Sequence, residues 1–429
     1  MKSPSSHVLI RNSAWLTLLV ASNYVFGFLI IPVWTRVLTP PTFALVGFGQ
    51  VVALYAQLVV DFGFTVSGTE RVARAVDHPD SRTRAFSSVM WGKICLTAVS
   101  VALFGLASIT VPAFKDHLVA FWLFLLSGAL AGLTPDFAYR GIERMAPIAI
   151  RVTVLKALAF VVTILFVHSD ANWLLIPSIN ALGNAISALW MIVGLARFGF
   201  NWRRAPLREI AKDLRHSMLF FWSRISANIY TATNTFVLGL TLGTSSLMVA
   251  NYVAADKLGA AASSITTPIS DSLYPRMMHA PNLMLLRKVL LVTTPVLALG
   301  CGLIGVFASP LCAIVFGPQY ADAARPLRIL LVIVVVKYIG MILGFPALSP
   351  IGLSRTVNSS VIIGAAVQLA AIAVLVGSHT MSVEAICLAS LTSQVVVLAI
   401  KAVALARHRS RYAELAYPDA QNLPKEVAS

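Results

Sequence analysis

The sequence predicts an all-α integral membrane protein of twelve transmembrane helices in two six-helix lobes, and three observations predict it. Only 12% of the 429 residues are charged, against 58% hydrophobic, and the mean hydropathy is +0.82. A soluble chain carries roughly twice that charged fraction. The apolar residues gather in long runs, and about 20 residues rising ~1.5 Å each cross the hydrocarbon core. The basic residues, in turn, crowd into alternate gaps between those runs. No short alternating segments of the barrel kind occur, and a helix in lipid satisfies its own backbone hydrogen bonds.

The first run, 12–37, follows Lys2 and Arg11. Thr39-Pro40-Pro41 separates it from the second, 43–68, where Gln50, Gln57 and Asp61 fall at i, i+7 and i+11 on one helix face. Pro79 precedes the third run, 86–111, and the fourth covers 118–139. Pro147 opens the fifth, 147–168, which carries Lys156, and the sixth covers 172–196. The longest internal loop follows, basic and marked by Pro206. The seventh run, 217–241, carries Arg224, Asn228, Thr231 and Thr235 on one face, and the eighth, 247–272, carries Asp256-Lys257, Ser264 and Asp271. The last four are 288–308 after Pro281, 326–346 with Lys337 near its middle, 357–377 after Pro350, and 382–405. The expected organisation is a first lobe over 1–200, a basic linker over 201–216, a second lobe over 217–408 and a tail over 409–429. A faint internal match supports two halves: Asn23-Tyr24 and Asn228-Ile229-Tyr230 align at an offset near 204. Two such halves are a common transporter layout.

The net charge of +16 suits nucleic-acid binding in a soluble protein, but here the placement of the charges decides otherwise. With the N-terminus inside, 25 of the 33 Lys and Arg residues fall on the cytoplasmic side, among them Arg71, Lys93, Arg151, Arg203 and Lys401. Only Arg36, Lys115, Arg325 and Arg328 fall outside, and Lys156, Arg224, Lys257 and Lys337 lie within runs. That bias places both termini in the cytoplasm and implies no nucleic-acid partner. The first run is too long for a cleavable leader and passes straight into further spans.

Catalysis is disfavoured. There is no Walker A motif, no HExxH and no paired Cys/His spacing, so neither cofactor nor metal is expected. Cys95, Cys301, Cys312 and Cys387 lie in or beside apolar runs and read as small core residues. The outside loops are short, with sparse acids (Asp116, Asp170, Asp322 and Glu384), which argues against a membrane glycosyltransferase or polymerase.

The informative residues are therefore charges inside spans, which are costly in lipid and tend to face a cavity or a partner. Arg224, Lys257 and Lys337 are candidate substrate-binding cations, with Asn228 and Arg11 beside them. Asp61 and Asp256 are candidate gating or ion-coupling acids. Asp61, near the cytoplasmic helix end, is read either as the partner of Arg11 or as a gate at the cavity mouth. Asp256 points about 100° away from Lys257, so the two need not pair. An excess of cations suits a substrate with a pyrophosphate head. A drug or cation antiporter calls for the reverse balance.

Four segments resemble one known family. Asp61-Phe62-Gly63-Phe64 with Gly68-Thr69-Glu70-Arg71-Val72-Ala73-Arg74 looks like the second-helix end of Wzx-type O-antigen flippases. Gly141-Ile142-Glu143-Arg144-Met145 resembles their fourth-to-fifth loop, Tyr230 to Arg276 their seventh and eighth helices, and Phe316 to Leu331 their ninth-to-tenth connection. The resemblance implies the multidrug/oligosaccharidyl-lipid/polysaccharide exporter fold, two pseudo-symmetric lobes about a central cavity with alternating access. It implies a bacterial inner-membrane flippase of undecaprenyl-pyrophosphate-linked repeat units, serving O-antigen or exopolysaccharide synthesis. Its partners would be the lipid-linked oligosaccharide and membrane lipid, with a polysaccharide polymerase and chain-length regulator as further candidates.

Overall fold

The computed structural model describes residues 6–412, the side chains of 6–10, 13, 223, 227 and 229–231 aside. Every regular element among them is helical. Among the described residues, ten helices are long and apolar enough to cross a membrane. The expected seventh and eighth spans are helical too but fall short of that apolar measure, because they carry the polar residues singled out above.

The first compact unit, Met1–Val253, begins with α1 (Ser6–Val37), α2 (Pro40–Asp61), α3 (Phe64–Arg74) and α4 (Pro79–Thr110). It continues with α5 (Leu118–Leu133), α6 (Asp136–Gly141), α7 (Met145–Phe166), α8 (Leu175–Ala196), the 36-residue α9 (Leu207–Leu242) and the start of α10 (Leu247–Ser264). Proline opens α2 and α4, where its missing N–H costs nothing. The start of α2 is capped from a distance: the Asp170 carboxylate accepts from the Thr39 N–H at 2.8 Å and the Thr42 hydroxyl at 3.0 Å. α2 packs on α5, α5 on α8, and α1 on α7. Gly128 makes the α2–α5 contact possible, since a Cβ there would lie 1.9 Å from the Ala53 carbonyl oxygen.

The second unit, Ala254–Ser429, holds α11 (Thr267–His279), α12 (Leu283–Val306), α13 (Ala308–Phe316) and α14 (Ala324–Ile342). It ends with α15 (Phe345–Leu348), α16 (Ser354–Gly377) and α17 (Val383–Arg407). α14 and α16 pack on α17 and share buried polar contacts there. Gln368 donates to Ser390 at 2.8 Å and Ser393 donates to the Gly364 carbonyl at 2.7 Å.

Three expectations need correction. The second span does not run unbroken over 43–68: it stops at Asp61 and restarts at Phe64, after Phe62 (φ 43°) and Gly63 (φ 81°) turn through left-handed geometry. The eighth, expected over 247–272, stops at Ser264 and restarts at Thr267. Asp271 therefore stands on a separate helix from Lys257 and Ser264, and the two helices give them no common face. The division by packing falls at Val253–Ala254 and not in the 201–216 linker, because α9 packs on α2, α3 and α4.

The order of elements nevertheless repeats. α2 ends at Asp61 and α10 at Ser264, 203 residues on; α4 begins at Pro79 and α12 at Leu283, 204 residues on. Each half has a long helix, a second helix broken from a short third, another long helix, and a short helix between its last spans. The offset near 204 read from the sequence is that of the helices.

Candidate functional site

The break between α2 and α3 sets Asp61 at a helix end yet inside the protein, 6% exposed. The Thr65 hydroxyl, one turn on, donates to both of its carboxylate oxygens, at 2.8 and 3.0 Å. Two cations complete the shell. Lys93 of α4, 2% exposed, donates to Asp61 Oδ1 at 3.3 Å, to the Gly132 carbonyl at 2.7 Å and to the Thr134 carbonyl at 3.1 Å. Those three acceptors use all three ammonium protons. Arg224 of α9 pairs with Asp61 Oδ2 through Nη1, and its side chain is 39% exposed. One carboxylate thus faces two cations, of which one is sealed in and the other reaches the surface.

Asp61 is therefore buried and engaged by α4 and α9, where the sequence placed it peripherally with Arg11 of α1 as one possible partner. Arg11 is exposed. Asn228 is spent locally: its amide donates to the Arg224 carbonyl one turn back, at 2.8 Å. Other polar residues of α9, off the face of Arg224 and Asn228, bind neighbouring helices. Thr233 bonds the Tyr55 hydroxyl of α2 at 2.8 Å and Asn234 donates to the Tyr252 hydroxyl at 3.1 Å, while Thr235, on the face itself, is buried. The side chain of Thr231 lies outside the described residues.

The distribution of basic residues by sides groups Lys93 with the cytoplasmic loops, although it stands seven residues inside the third apolar run. The same holds for Arg151 and Lys401, which also lie within runs. Arg151, 6% exposed, forms a bidentate pair with Asp136 at 2.7 and 3.0 Å, and Lys401, also 6% exposed, donates to the Gly340 carbonyl at 3.0 Å. Depth within a run was the available signal in all three cases.

In the second unit, Asp256 and Lys257 sit side by side on α10, half-buried, and Asp256 is within electrostatic range of both Lys257 and Lys337 of α14. Lys337 itself is accessible from outside the protein. The sequence-selected charges thus assemble as Asp61 with Arg224 in one unit and Asp256 with Lys257 and Lys337 in the other.

A second polar layer ties the start of α9 to α3 and α4. Arg71 pairs with Asp213, the Ser88 hydroxyl donates to Asp213 at 2.6 Å, and Ser67 and Ser217 share a hydrogen bond at 2.6 Å. Burial pushes the Asp213 carboxyl above the usual aspartate range, against the opposing pull of Ser88 and Arg71. The cavity among α2, α4, α5 and α9, about 380 Å³, is of a different kind: Val52, Leu103, Phe104, Leu125 and Phe236 make its lining almost wholly apolar.

The model of the family described as "Polysaccharide biosynthesis protein" matches residues 9–280. A protein of Escherichia coli (strain K12), provisionally named an O-antigen transporter, is 27% identical over 334 residues, covering 75% of this chain and 79% of that one. A Shigella dysenteriae protein of the same name is 26% identical over 365 residues, covering 84% and 91%. Among solved structures, the lipid II flippase MurJ in an inward closed conformation superposes with a TM-score of 0.70 at 10% identity, over 96% of this chain and 91% of that one. An inward-facing MATE family transporter of the MOP superfamily gives 0.64 at 16% identity, over 91% and 95%. At such identities the structural likeness bears on the fold alone.

Proposed function

The chain belongs to the polysaccharide biosynthesis protein family, and from that premise we propose that it is a flippase for lipid-linked oligosaccharides. The substrate class we assign is an undecaprenyl-pyrophosphate-linked repeat unit. It moves by alternating access from the cytoplasmic to the periplasmic leaflet of the bacterial inner membrane, to feed O-antigen or exopolysaccharide assembly. The chain is a transporter and not an enzyme, as the names of its relatives also have it. Arg224, Lys257 and Lys337 serve as phosphate-binding cations, with Arg11 and Asn228 in support. Asp61 and Asp256 are their exchangeable counter-charges.

One observation carries this reading. Asp61 faces both Lys93 and Arg224, so the cluster holds more positive than negative charge, and the accessible member is a guanidinium. A guanidinium at a surface binds phosphate oxygens in its planar fork. A cation antiporter needs a carboxylate free to take a cation, whereas Asp61 is already occupied by two.

Deleting the gene tests the proposal. The strain is expected to lose long-chain surface polysaccharide while lipid-linked units accumulate on the inner leaflet. Normal surface glycan with new drug sensitivity would establish the antiporter instead.

A further inference from the structure

We infer that Lys93 is a positioning residue that holds the Asp61 carboxylate in place, so that Arg224 can exchange Asp61 for a diphosphate oxygen of the substrate. The inference rests on the proposed lipid-diphosphate substrate and deepens it. It begins with the asymmetry of the two cations. Lys93 is 2% exposed, and its three protons are taken by one carboxylate oxygen and two carbonyls from the end of α5 and the turn beyond it. Nothing can displace it without orphaning those acceptors inside the protein. Arg224 holds the other oxygen of Asp61, Oδ2, from a side chain 39% exposed. The carboxylate therefore has one fixed partner and one reachable partner.

That division makes the exchange feasible. With Arg224 as its only cation, Asp61 would be left a buried anion without a counter-charge, held by the Thr65 hydroxyl alone, whenever the arginine turned to a ligand, a severe cost for a charge away from water. Lys93 and the Thr65 hydroxyl stay on the carboxylate when Arg224 leaves, so the ion pair can open. Asp61 in turn is the anion that must recapture Arg224 for the diphosphate to be released. Lys93 touches no substrate and acts only through Asp61.

The test is binding of a short-chain isoprenyl diphosphate to the purified full-length protein in detergent, with folded fraction measured by size-exclusion profile. Lys93→Met leaves Arg224 as the sole cation on Asp61 and is expected to weaken binding by about tenfold or more. Asp61→Asn removes the competing anion and is expected to tighten binding while slowing transport. The double variant Lys93→Met/Asp61→Asn, which leaves neither charge buried, is expected to bind at least as well as wild type. Folded Lys93→Met protein with wild-type affinity overturns the inference, as does weaker binding by Asp61→Asn. Should Lys93→Met fail to fold, the double variant decides: affinity below wild type overturns the inference, and affinity at or above it supports it. Wild-type protein that does not bind the probe removes the diphosphate reading itself, and this inference with it.

Discussion

At the scale of single residues, charge inside the bilayer is the informative quantity. A mid-span Lys or Arg facing lipid costs about 2.5–3.5 kcal/mol on insertion scales, so cations kept there have partners or a task. Arg224→Gln and Lys257→Gln are expected to reach the membrane at normal level and to lose most transport, read as long-chain surface glycan in a complemented deletion strain. Arg224→Lys should be only partly tolerated, because an ammonium cannot reproduce the fork that meets two oxygens at once. Full surface glycan from either Gln variant would make these charges structural. The sequence was informative up to a point here. Arg224, Lys257 and Asp61 stood out because they interrupt apolar runs. Lys93 did not, since it lies near a basic loop and the count by sides absorbed it. The partner of Asp61 was beyond reach: α2, α4 and α9 meet through packing, and 163 residues separate Asp61 from Arg224.

At the scale of elements, the break between α2 and α3 decides how α9 can approach. Gly63 holds φ 81°, and a Cβ there would lie 2.8 Å from Phe220 Cβ and 2.9 Å from the Phe221 backbone nitrogen. The ring of Phe62 stacks on Phe221 with centroids 4.3 Å apart. Gly63→Ala thus meets both a left-handed backbone and the wall of α9. We expect a loss of about 1–3 kcal/mol, visible as a lower thermal midpoint in detergent. An unchanged midpoint would mean that α9 does not press on the break. Asp213 lies earlier on α9, ahead of its apolar part, and burial raises its carboxyl above the usual range. An acid raised by folding takes up its proton more readily folded than unfolded. Its contribution is therefore full below the ordinary aspartate value of about 4 and is lost as pH rises through the raised value. Asp213→Asn should flatten that part of the thermal midpoint against pH, and an unaltered slope would assign it to other groups. The first break is not legible as a break, because apolar content carries straight through Phe62-Gly63 and only backbone geometry separates the helices. The second has a signal in the polar run Ser263-Ser264 and Thr266-Thr267 and in Pro268 at the start of α11.

At the scale of the molecule, an even number of spans returns the chain to its starting side. Reporter fusions after Arg215 and after Ser429 should therefore both read as cytoplasmic, and an outside reading at either point breaks the count of twelve. Most of the architecture was legible because lipid leaves a chain few options: ten spans showed as apolar runs, and the remaining two as runs interrupted by their own polar residues. The boundary by packing was not legible, because α9 follows the linker in sequence but binds the helices before it. The Asp61 cluster also has a consequence for biogenesis. Synthesis proceeds from the N-terminus, so α2 enters the bilayer carrying its carboxylate while α4 is still to come. Lys93 emerges 32 residues after Asp61, the Gly132 and Thr134 carbonyls another 39 and 41 residues later, and Arg224 last of all. The newborn chain thus has a cation for its buried anion within the first third of translation, and Arg224 arrives at a carboxylate for which Lys93 is already present.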